Sequence, residues 1–275
     1  MGQAGNDWDK VARAWAKWWP DIERNATVVV DRMLELAAIE GGEQVLDVAT
    51  GVGEPAVSAA RRVGPEGRVL ATDVSATMIA LARERAQGLA LDNIEFREMD
   101  ADRLDLPESS FDLVLSRWGL MFVADLDQVL RRLAAVLKPG GRLVAAVWDQ
   151  APKVPMISFP AAIFQDTLSL PPPAGDRPTP FDLADQEDLT RRLRAAGFED
   201  VRSVPVEMPA RFDSGDHFLR FRREVAHPDP RLEPFSAEQI EAVWDRVAAA
   251  LRARERADGS LVLDNVSHCI VGARP

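Results

Sequence analysis

The sequence predicts an α/β fold built on a doubly wound, mainly parallel sheet. Strand-like apolar segments alternate with helix-like segments from residue 44 onward, and short glycine-containing turns separate them. Such alternation is typical of a parallel sheet with helices on both faces, because right-handed crossovers bring each strand back into the same sheet. Ligands of these sheets bind beyond the carboxyl ends of the strands, so we expect the functional site at that edge.

The composition indicates a globular protein whose partner is neither nucleic acid nor membrane. The 275 residues include 33 basic and 44 acidic side chains, which gives a net charge of −11. This charge argues against nucleic acid and anionic membranes, and no apolar run approaches the roughly 20 residues that span a bilayer. The single cysteine, Cys269, excludes an internal disulfide and favours the reducing cytoplasm. The oligomeric state, including a homodimer, is left open.

Residues 1–43 are predicted to form an N-terminal helical lid. Four of the seven tryptophans recur there at helical spacing, at Trp8, Trp15, Trp18 and Trp19. This spacing predicts one helix with a wide aromatic face. Such a face either packs on a core or covers a ligand, and the sequence alone leaves both interpretations open.

The remaining elements follow in a regular order. Strands are expected at residues 44–49, 68–73, 94–99, 111–118, 142–148, 201–208 and 261–271. Helices are expected at residues 21–38, 55–63, 75–87, 126–137 and 185–196. Within a domain of residues 44–275, a proline-rich loop is expected at 150–181 and a helical insertion at 210–258. The insertion is too long for a simple turn, and both segments are expected to cap a bound small molecule.

The first motif is VLDVATGVGE at residues 45–54, a strand that runs into a glycine turn. Gly51 and Gly53 have no side chains, so a ligand can approach the backbone there. Asp47 is a carboxylate on an otherwise apolar strand, and a buried carboxylate needs a partner. A cationic ligand or the amides of the loop would supply that partner. The alternative is a tight packing turn.

Acidic residues follow the second and third strands. Asp73 lies 20 residues after Gly53, where a carboxylate suits ribose hydroxyls; the alternative is an aspartate that caps the helix beginning at Ser75. Asp100 and Ala101 follow the third strand, where a carboxylate and a backbone amide can hydrogen-bond to adenine. A surface acidic turn is the alternative for this pair.

The fourth strand ends in Ser116, Arg117 and Trp118, which are predicted to face the same crevice. An arginine at this position would pair with a carboxylate or phenolate of the substrate. The alternative is a surface arginine paired with Asp125 or Asp127.

Taken in this order, the motifs resemble the core of class I S-adenosylmethionine (SAM)-dependent methyltransferases, and most closely the ubiquinone/menaquinone methyltransferase-like group that acts on small molecules. The resemblance covers residues 44–148 and rests on VLDVATGVGE, LATDVS, MDA, FDLVLSRWGLMF and LKPGGRLV. It implies a Rossmann-like sheet of seven strands, the last one antiparallel, with SAM as the cofactor. Ala49 departs from the family, which often has glycine there.

The resemblance also implies the site residues. For cofactor binding they are Asp47, Ala49, Gly51, Gly53, Asp73, Val74, Met78, Asp100, Ala101, Ser116 and Arg117. For the substrate pocket or the lid they are Trp15, Trp18, Trp19, Trp118 and Met121. No general base is identified: the candidates are His217 and His227 in the insertion and Arg117, whereas His268 is expected to be a core histidine. No His/Cys spacing typical of a metal site occurs.

The predicted function is methyl transfer from SAM to a small aromatic or apolar molecule by in-line displacement. The protein then mainly aligns donor and acceptor. Two alternatives are a nicotinamide-dependent oxidoreductase, which leaves Asp47 without a role, and a non-catalytic SAM-binding protein, which would bind SAM without turnover.

Overall fold

The fold is organised around one sheet, and the computed structural model describes residues 3–171, 178–227 and 229–275. Within these residues seven strands pair in the order β3-β2-β1-β4-β5-β7-β6. The strands are β1 (Gln44–Val48), β2 (Arg68–Asp73), β3 (Ile94–Glu98), β4 (Phe111–Arg117), β5 (Leu137–Trp148), β6 (Glu199–Phe212) and β7 (Leu261–Ala273). Strands β1 to β5 are parallel, and β7 is antiparallel to both β5 and β6. The predicted mainly parallel sheet with an antiparallel last strand is confirmed.

Nine helices accompany the sheet in the described part of the chain. They are α1 (Gln3–Lys17), α2 (Trp19–Ala37), α3 (Ala56–Val63), α4 (Ala76–Gly88), α5 (Leu126–Val136), α6 (Pro155–Leu168), α7 (Gln186–Ala195), α8 (Gly215–Val225) and α9 (Ala237–Arg252). Successive residues of β1, β2 and β4 are buried, so the helices cover both faces of the sheet, as the prediction required. Among the described residues, no helix is both long enough and apolar enough to cross a membrane.

Three parts of the chain differ from the sequence-based expectation. The boundary between the tryptophan-rich helix and the helix expected at 21–38 lies earlier, at Trp18, because α1 ends at Lys17 and α2 begins at Trp19 with Pro20 in its first turn. The expected connection at 150–181 contains α6, in which Pro155 occupies the first position; residues 172–177 lie outside the described residues. Strand β6 runs on to Phe212, so the helical insertion starts after it and not at residue 210.

Two hydrophobic cores are separated along the sheet. The larger one surrounds β1 to β5 and includes Val29, Met33 and Ala37 of α2, so this helix packs on the sheet. The second core joins α6, α8 and α9 to the outer ends of β6 and β7. Strand order therefore places the glycine turn after β1, Asp73 after β2 and Arg117 after β4 at one edge.

Candidate active site

The glycine turn after β1 is held by a buried carboxylate. Asp47 is fully buried, and its Oδ2 accepts a hydrogen bond of 3.0 Å from the Ala56 amide at the start of α3. Its Oδ1 and the Thr50 Oγ1 are buried without a hydrogen-bond partner among the described residues, although the nearby Thr50 hydroxyl favours the charged carboxylate. Burial nevertheless raises the pKa of Asp47 to about 7. Asp47 Oδ1 and Thr50 Oγ1 are therefore two buried polar atoms behind the turn that make no hydrogen bond with a described residue.

The backbone of the turn has the left-handed conformation at three residues. The φ angles are 58° at Ala49, 56° at Gly51 and 105° at Gly53. A Cβ placed on Gly51 would meet no atom within 4 Å, so the turn borders open space. The positive φ of Ala49 is strained for a residue with a side chain. The Ala49 Cβ packs against Gly119, where an added Cβ would lie only 2.4 Å from it. The sequence interpretation missed this requirement for glycine at position 119.

Asp73 ties the second strand to the same turn. Its Oδ2 accepts from the Gly51 amide at 2.8 Å, and its Oδ1 accepts from the Ser75 amide at 2.9 Å. Burial raises the pKa of Asp73 to about 6, against the lowering effect of these two amides. The helix-capping alternative assigned to Asp73 belongs to Ser75 instead, whose hydroxyl accepts from the Met78 amide. Asp73 therefore orients the glycine turn.

The residues after β3 form a short 3₁₀ helix, Ala101–Arg103, at the same edge. The Asp100 carboxylate accepts from the Asp102 amide at 3.0 Å and stays half-buried. Asp102 in turn accepts from the Ala124 and Asp125 amides, both at 2.9 Å. Asp102 therefore connects the turn after β3 to the segment that follows β4.

The end of β4 is occupied by an ion pair that the sequence did not reveal. Arg117 is buried and pairs with Glu23 of α2 at 2.9 Å, so the alternative of a surface arginine paired with Asp125 or Asp127 is wrong. Its guanidinium lies 5.9 Å from the Trp19 ring and 5.2 Å from the Trp118 ring. The Ser116 hydroxyl is also engaged, since it donates to the Val48 carbonyl at 2.9 Å.

A second ion pair stands beside the glycine turn. Arg85 of α4 pairs with the buried Glu54 at 2.9 Å and lies 4.1 Å from the Trp19 ring. The Trp19 ring therefore lies near two arginines, Arg85 of α4 and Arg117 at the end of β4. Arg85 and Glu23 were not predicted as site residues, because neither lies in a motif and each is far in sequence from the residue it pairs with.

Helix α1 covers the turn with an apolar face. Ala12 forms a small cluster with Val52 of the turn and Met78 of α4, against which Trp8, Trp15 and Trp19 pack. Asp9 anchors the helix, because its Oδ1 accepts from the Ser75 hydroxyl at 2.5 Å and from the Thr77 amide at 3.1 Å. The Ser75 hydrogen bond lowers the pKa of Asp9.

The other predicted substrate or lid residues divide between the two cores. Trp18 is buried in the second core, and its Nε1 donates to Glu224 at 2.9 Å. Trp118 stacks on Trp148 with ring centroids 4.2 Å apart and donates to the Ser267 hydroxyl. Met121 is fully buried in the main core. The half-buried Val74 lies directly after Asp73.

The three histidines occupy different surroundings. His217 lies near Asp21 and Asp213, at 3.4 Å and 3.3 Å, and packs on Trp18 in the second core. The His227 ring contacts the Trp8 ring, with centroids 4.0 Å apart, so this histidine is closer to the lid. Among the described residues, no group of three His, Cys, Asp or Glu side chains is arranged to hold a metal ion.

His268 is held inside the sheet by polar partners, as expected for a core histidine. Its Nε2 lies 3.0 Å from Asp149, and its Nδ1 lies 2.8 Å from the Ser203 hydroxyl. Together these side chains link β5, β7 and β6.

At this edge of the sheet lies a glycine turn backed by a buried aspartate, with acids at the end of β2 and after β3. Residues 45–141 match the family model of the methyltransferase domain. The match runs from β1 to the start of β5.

Known proteins are similar over this domain or over the fold. A 113-residue segment is 41% identical to the ubiquinone/menaquinone biosynthesis C-methyltransferase UbiE of Pseudomonas entomophila, covering 40% of this chain and 44% of that protein. The match thus spans less than half of that relative. A phosphoethanolamine N-methyltransferase 2 of Haemonchus contortus, solved with phosphomonomethylethanolamine and S-adenosylhomocysteine, is 18% identical with a TM-score of 0.61, covering 100% of this chain and 61% of that one.

A similar fold also occurs in a protein that carries out a different reaction. The [4+2]-cyclase SpnF is 23% identical with a TM-score of 0.55, covering 90% of this chain and 80% of that one. Since SpnF is a cyclase, similar folds serve different reactions, and the function must be argued from the site.

Proposed function

We propose that this protein transfers a methyl group from SAM to a small molecule. The observation that carries the proposal is the pair of orphaned atoms behind the open glycine turn, Asp47 Oδ1 and Thr50 Oγ1. A buried carboxylate with an unfilled oxygen suits a positively charged ligand, and SAM carries a sulfonium and an ammonium group. A nicotinamide cofactor would leave that oxygen without a role.

The residues present fit the rest of the cofactor. Asp73 keeps acceptor capacity beyond its two amide bonds and would take the ribose hydroxyls. Asp100 and Ala101 would hold adenine, Val74 and Met78 would contact its apolar faces, and Ser116 and Arg117 would stand near the methyl group. The bound cofactor supplies an activated methyl group. Helix α1 forms the lid, because its face already packs on Val52 of the turn.

The acceptor is proposed to be aromatic or apolar. Trp15, Trp19 and Trp118 are half-buried beside the turn and the end of β4 and would align a flat acceptor and exclude water. His227 is the better placed of the two candidate bases, since its ring contacts Trp8 of the lid. The net charge of −11 supports a partner other than nucleic acid or an anionic membrane, and the one cysteine supports a reducing cytoplasm.

The proposal is tested by calorimetric titration with SAM, S-adenosylhomocysteine and NADH. We expect both adenosyl ligands to bind and NADH not to bind. Asp73→Ala should weaken SAM binding about 10- to 100-fold, because hydrogen bonds to a charged acceptor and the order of the turn are lost. Glu98→Ala is the matched control, since Glu98 is the exposed acid paired with Asp73 on the neighbouring strand.

SAM binding that is absent from the folded protein, or equal in both variants, contradicts the proposal. The acceptor is then sought by incubating the protein with labelled SAM and a cell extract and identifying the methylated product by mass spectrometry. Binding of SAM without any product would favour the non-catalytic alternative.

A further inference from the structure

The N-terminal end of α4 is bound by a residue of α1. Ser75 precedes α4, and its hydroxyl oxygen caps the helix by accepting from the Met78 amide. The Asp9 carboxylate comes to the same place from the other helix: its Oδ1 accepts from the Ser75 hydroxyl at 2.5 Å and from the Thr77 amide at 3.1 Å. A negative charge of α1 therefore lies at the positive end of the α4 dipole.

Ser75 also belongs to the candidate cofactor site. Its backbone amide donates to Asp73 Oδ1 at 2.9 Å, while Asp73 Oδ2 accepts from the Gly51 amide of the glycine turn at 2.8 Å. The two carboxylates interact as well, since burial is the main cause of the raised pKa of Asp73 and the charge of Asp9 adds to it. A chain of hydrogen bonds thus runs from Asp9 through Ser75 and Asp73 to the turn.

Asp9 lies in the half of α1 that is distant from the joint with α2. Helix α1 ends at Lys17 and α2 begins at Trp19, so Asp9 is about 12 Å along the helix axis from the joint. Near the joint, α1 is attached to α8 by the ion pair of Lys17 with Glu224. Between these attachments α1 packs on Val52 of the glycine turn. Asp9 therefore attaches the outer half of α1 to the rim of the site.

Helix α4 does not depend on Asp9 for its start. Ser75 already caps the helix, so the Asp9 contacts mainly join α1 to α4. Hydrogen bonds to a charged acceptor are stronger than those between neutral groups. Helix α1 leaves the turn only when both of them break. These two hydrogen bonds, from Ser75 and Thr77 to Asp9, form a latch.

We infer that Asp9 is a positioning residue for the cofactor, which holds α1 over the glycine turn by binding the serine that also orients Asp73. This inference rests on the proposed function and assigns Asp9 no contact with SAM. The cofactor enters and leaves while the latch is open, so the latch controls both rates. The closed latch keeps the cofactor enclosed during methyl transfer.

Rapid mixing with S-adenosylhomocysteine tests the latch, with tryptophan fluorescence as the signal. Asp9→Ala removes both hydrogen bonds and should raise the association and dissociation rate constants, each about 3- to 30-fold, because α1 is open for a larger fraction of the time. Asp9→Asn keeps an oxygen that accepts hydrogen bonds but loses the charge, so its rate constants should be intermediate. Asp31→Ala is the matched control, since Asp31 is an exposed aspartate of α2, and it should change neither rate.

A rise in both rate constants separates a latch from a structural residue. A weakened fold or a lost ligand contact would speed release but would not speed uptake. Association that is unchanged or slower in Asp9→Ala overturns the inference. If Asp9→Ala does not fold, the same comparison is made with Asp9→Asn, and unchanged or slower association in that variant overturns it.

A double-mutant cycle shows whether Asp9 acts through Ser75. In a Ser75→Ala background, Asp9→Ala should change the rate constants by a smaller factor than in the wild type, because the hydrogen bond between the two side chains is already lost. Equal factors in the two backgrounds mean that Asp9 acts elsewhere and overturn the inference.

The outcomes separate the latch from the proposed function. A protein that binds S-adenosylhomocysteine with the same rate constants in Asp9→Ala and Asp31→Ala overturns the latch alone. A wild type that does not bind this ligand overturns the proposed function. Hydrogen exchange of the ligand-free protein then still tests the latch: amides of α1 should exchange faster in Asp9→Ala than in Asp31→Ala, and equal exchange overturns it.

Discussion

Asp47 and Asp73 are buried carboxylates that stabilise the glycine turn and are themselves destabilised by burial. Their pKa values are raised to about 7 and about 6, mainly because charge is poorly solvated inside the protein. An acid with a raised pKa holds its proton more tightly when folded than when unfolded. The folded state thus loses stability as the pH rises from about 4 through about 7. A positively charged ligand reverses this cost by pairing with the carboxylate.

The pH dependence of SAM binding tests the role of Asp47. Between pH 6 and 8 the affinity should rise by up to about tenfold, because the carboxylate changes from mostly protonated to mostly charged. In Asp47→Asn the profile should flatten, and the ligand-free variant should lose less stability over this range, since only Asp73, with a pKa of about 6, still gives up a proton there. Calorimetry and thermal melts across the pH series measure both effects. Since the variant keeps the ionisation of the ligand, parallel profiles in the two proteins would exclude Asp47.

At the scale of elements, the tryptophan-rich segment is shared by α1 and α2, which place neighbouring tryptophans in different surroundings. The break between α1 and α2 at Trp18 directs neighbouring tryptophans to different places. Trp18 enters the second core and binds Glu224, whereas Trp19 turns to Arg85 and Arg117 beside the glycine turn. Trp18 is therefore part of a core, and a lid role for Trp19 is the proposal that the following variants test.

Matched alanine variants of these two neighbours check this division. Trp18→Ala should cost about 3 kcal/mol or more of folding stability, the usual loss for a large buried aromatic residue, with SAM affinity nearly unchanged. Trp19→Ala should destabilise the protein less than Trp18→Ala, because Trp19 is half-buried and each of its cation–π contacts with Arg85 and Arg117 is worth about 0.5 to 2 kcal/mol. It should weaken SAM binding, because Trp19 packs beside the glycine turn. Calorimetry and thermal melts on both variants measure this, and the opposite pattern would assign Trp19 to the core and Trp18 to the lid.

At the scale of the whole molecule, two cores lie side by side on one sheet. The main core holds β1 to β5, and the second core holds α6, α8 and α9 against the ends of β6 and β7. The helical insertion belongs to the second core, and α1 connects the two regions through Trp15. Separate cores favour separate cooperative units.

Hydrogen exchange should resolve these units. Amides of β1 and β4 should exchange most slowly, and those of α8 and α9 should open earlier, since fewer buried contacts surround them. Saturation with S-adenosylhomocysteine should slow exchange in α1, which lies on the turn. Mass spectrometry of peptides from both regions measures the difference. A single exchange rate throughout, with no change in α1 on binding, would show one rigid unit and no lid.

Much of the fold was predictable from local patterns. The order of strands and helices from residue 44, the mainly parallel sheet and the antiparallel final strand all follow from periodicity, turns and family motifs, and the structure confirms them. Helix α6 was not predicted, because proline counts against a helix except in the first turn, where Pro155 stands, and Pro160 lies within it. The end of the tryptophan helix was missed because one spacing continues through both α1 and α2.

The sequence by itself determined where the site must be. Parallel strands bring their carboxyl ends to one edge of the sheet, so the motif residues that end these strands must lie close together there. Only the tertiary structure decided the partners. Glu23 with Arg117, Asp9 with Ser75, and Ala49 against Gly119 join residues that no period relates. Pairing and burial depend on how separate helices settle on the sheet, and a linear pattern does not carry that information.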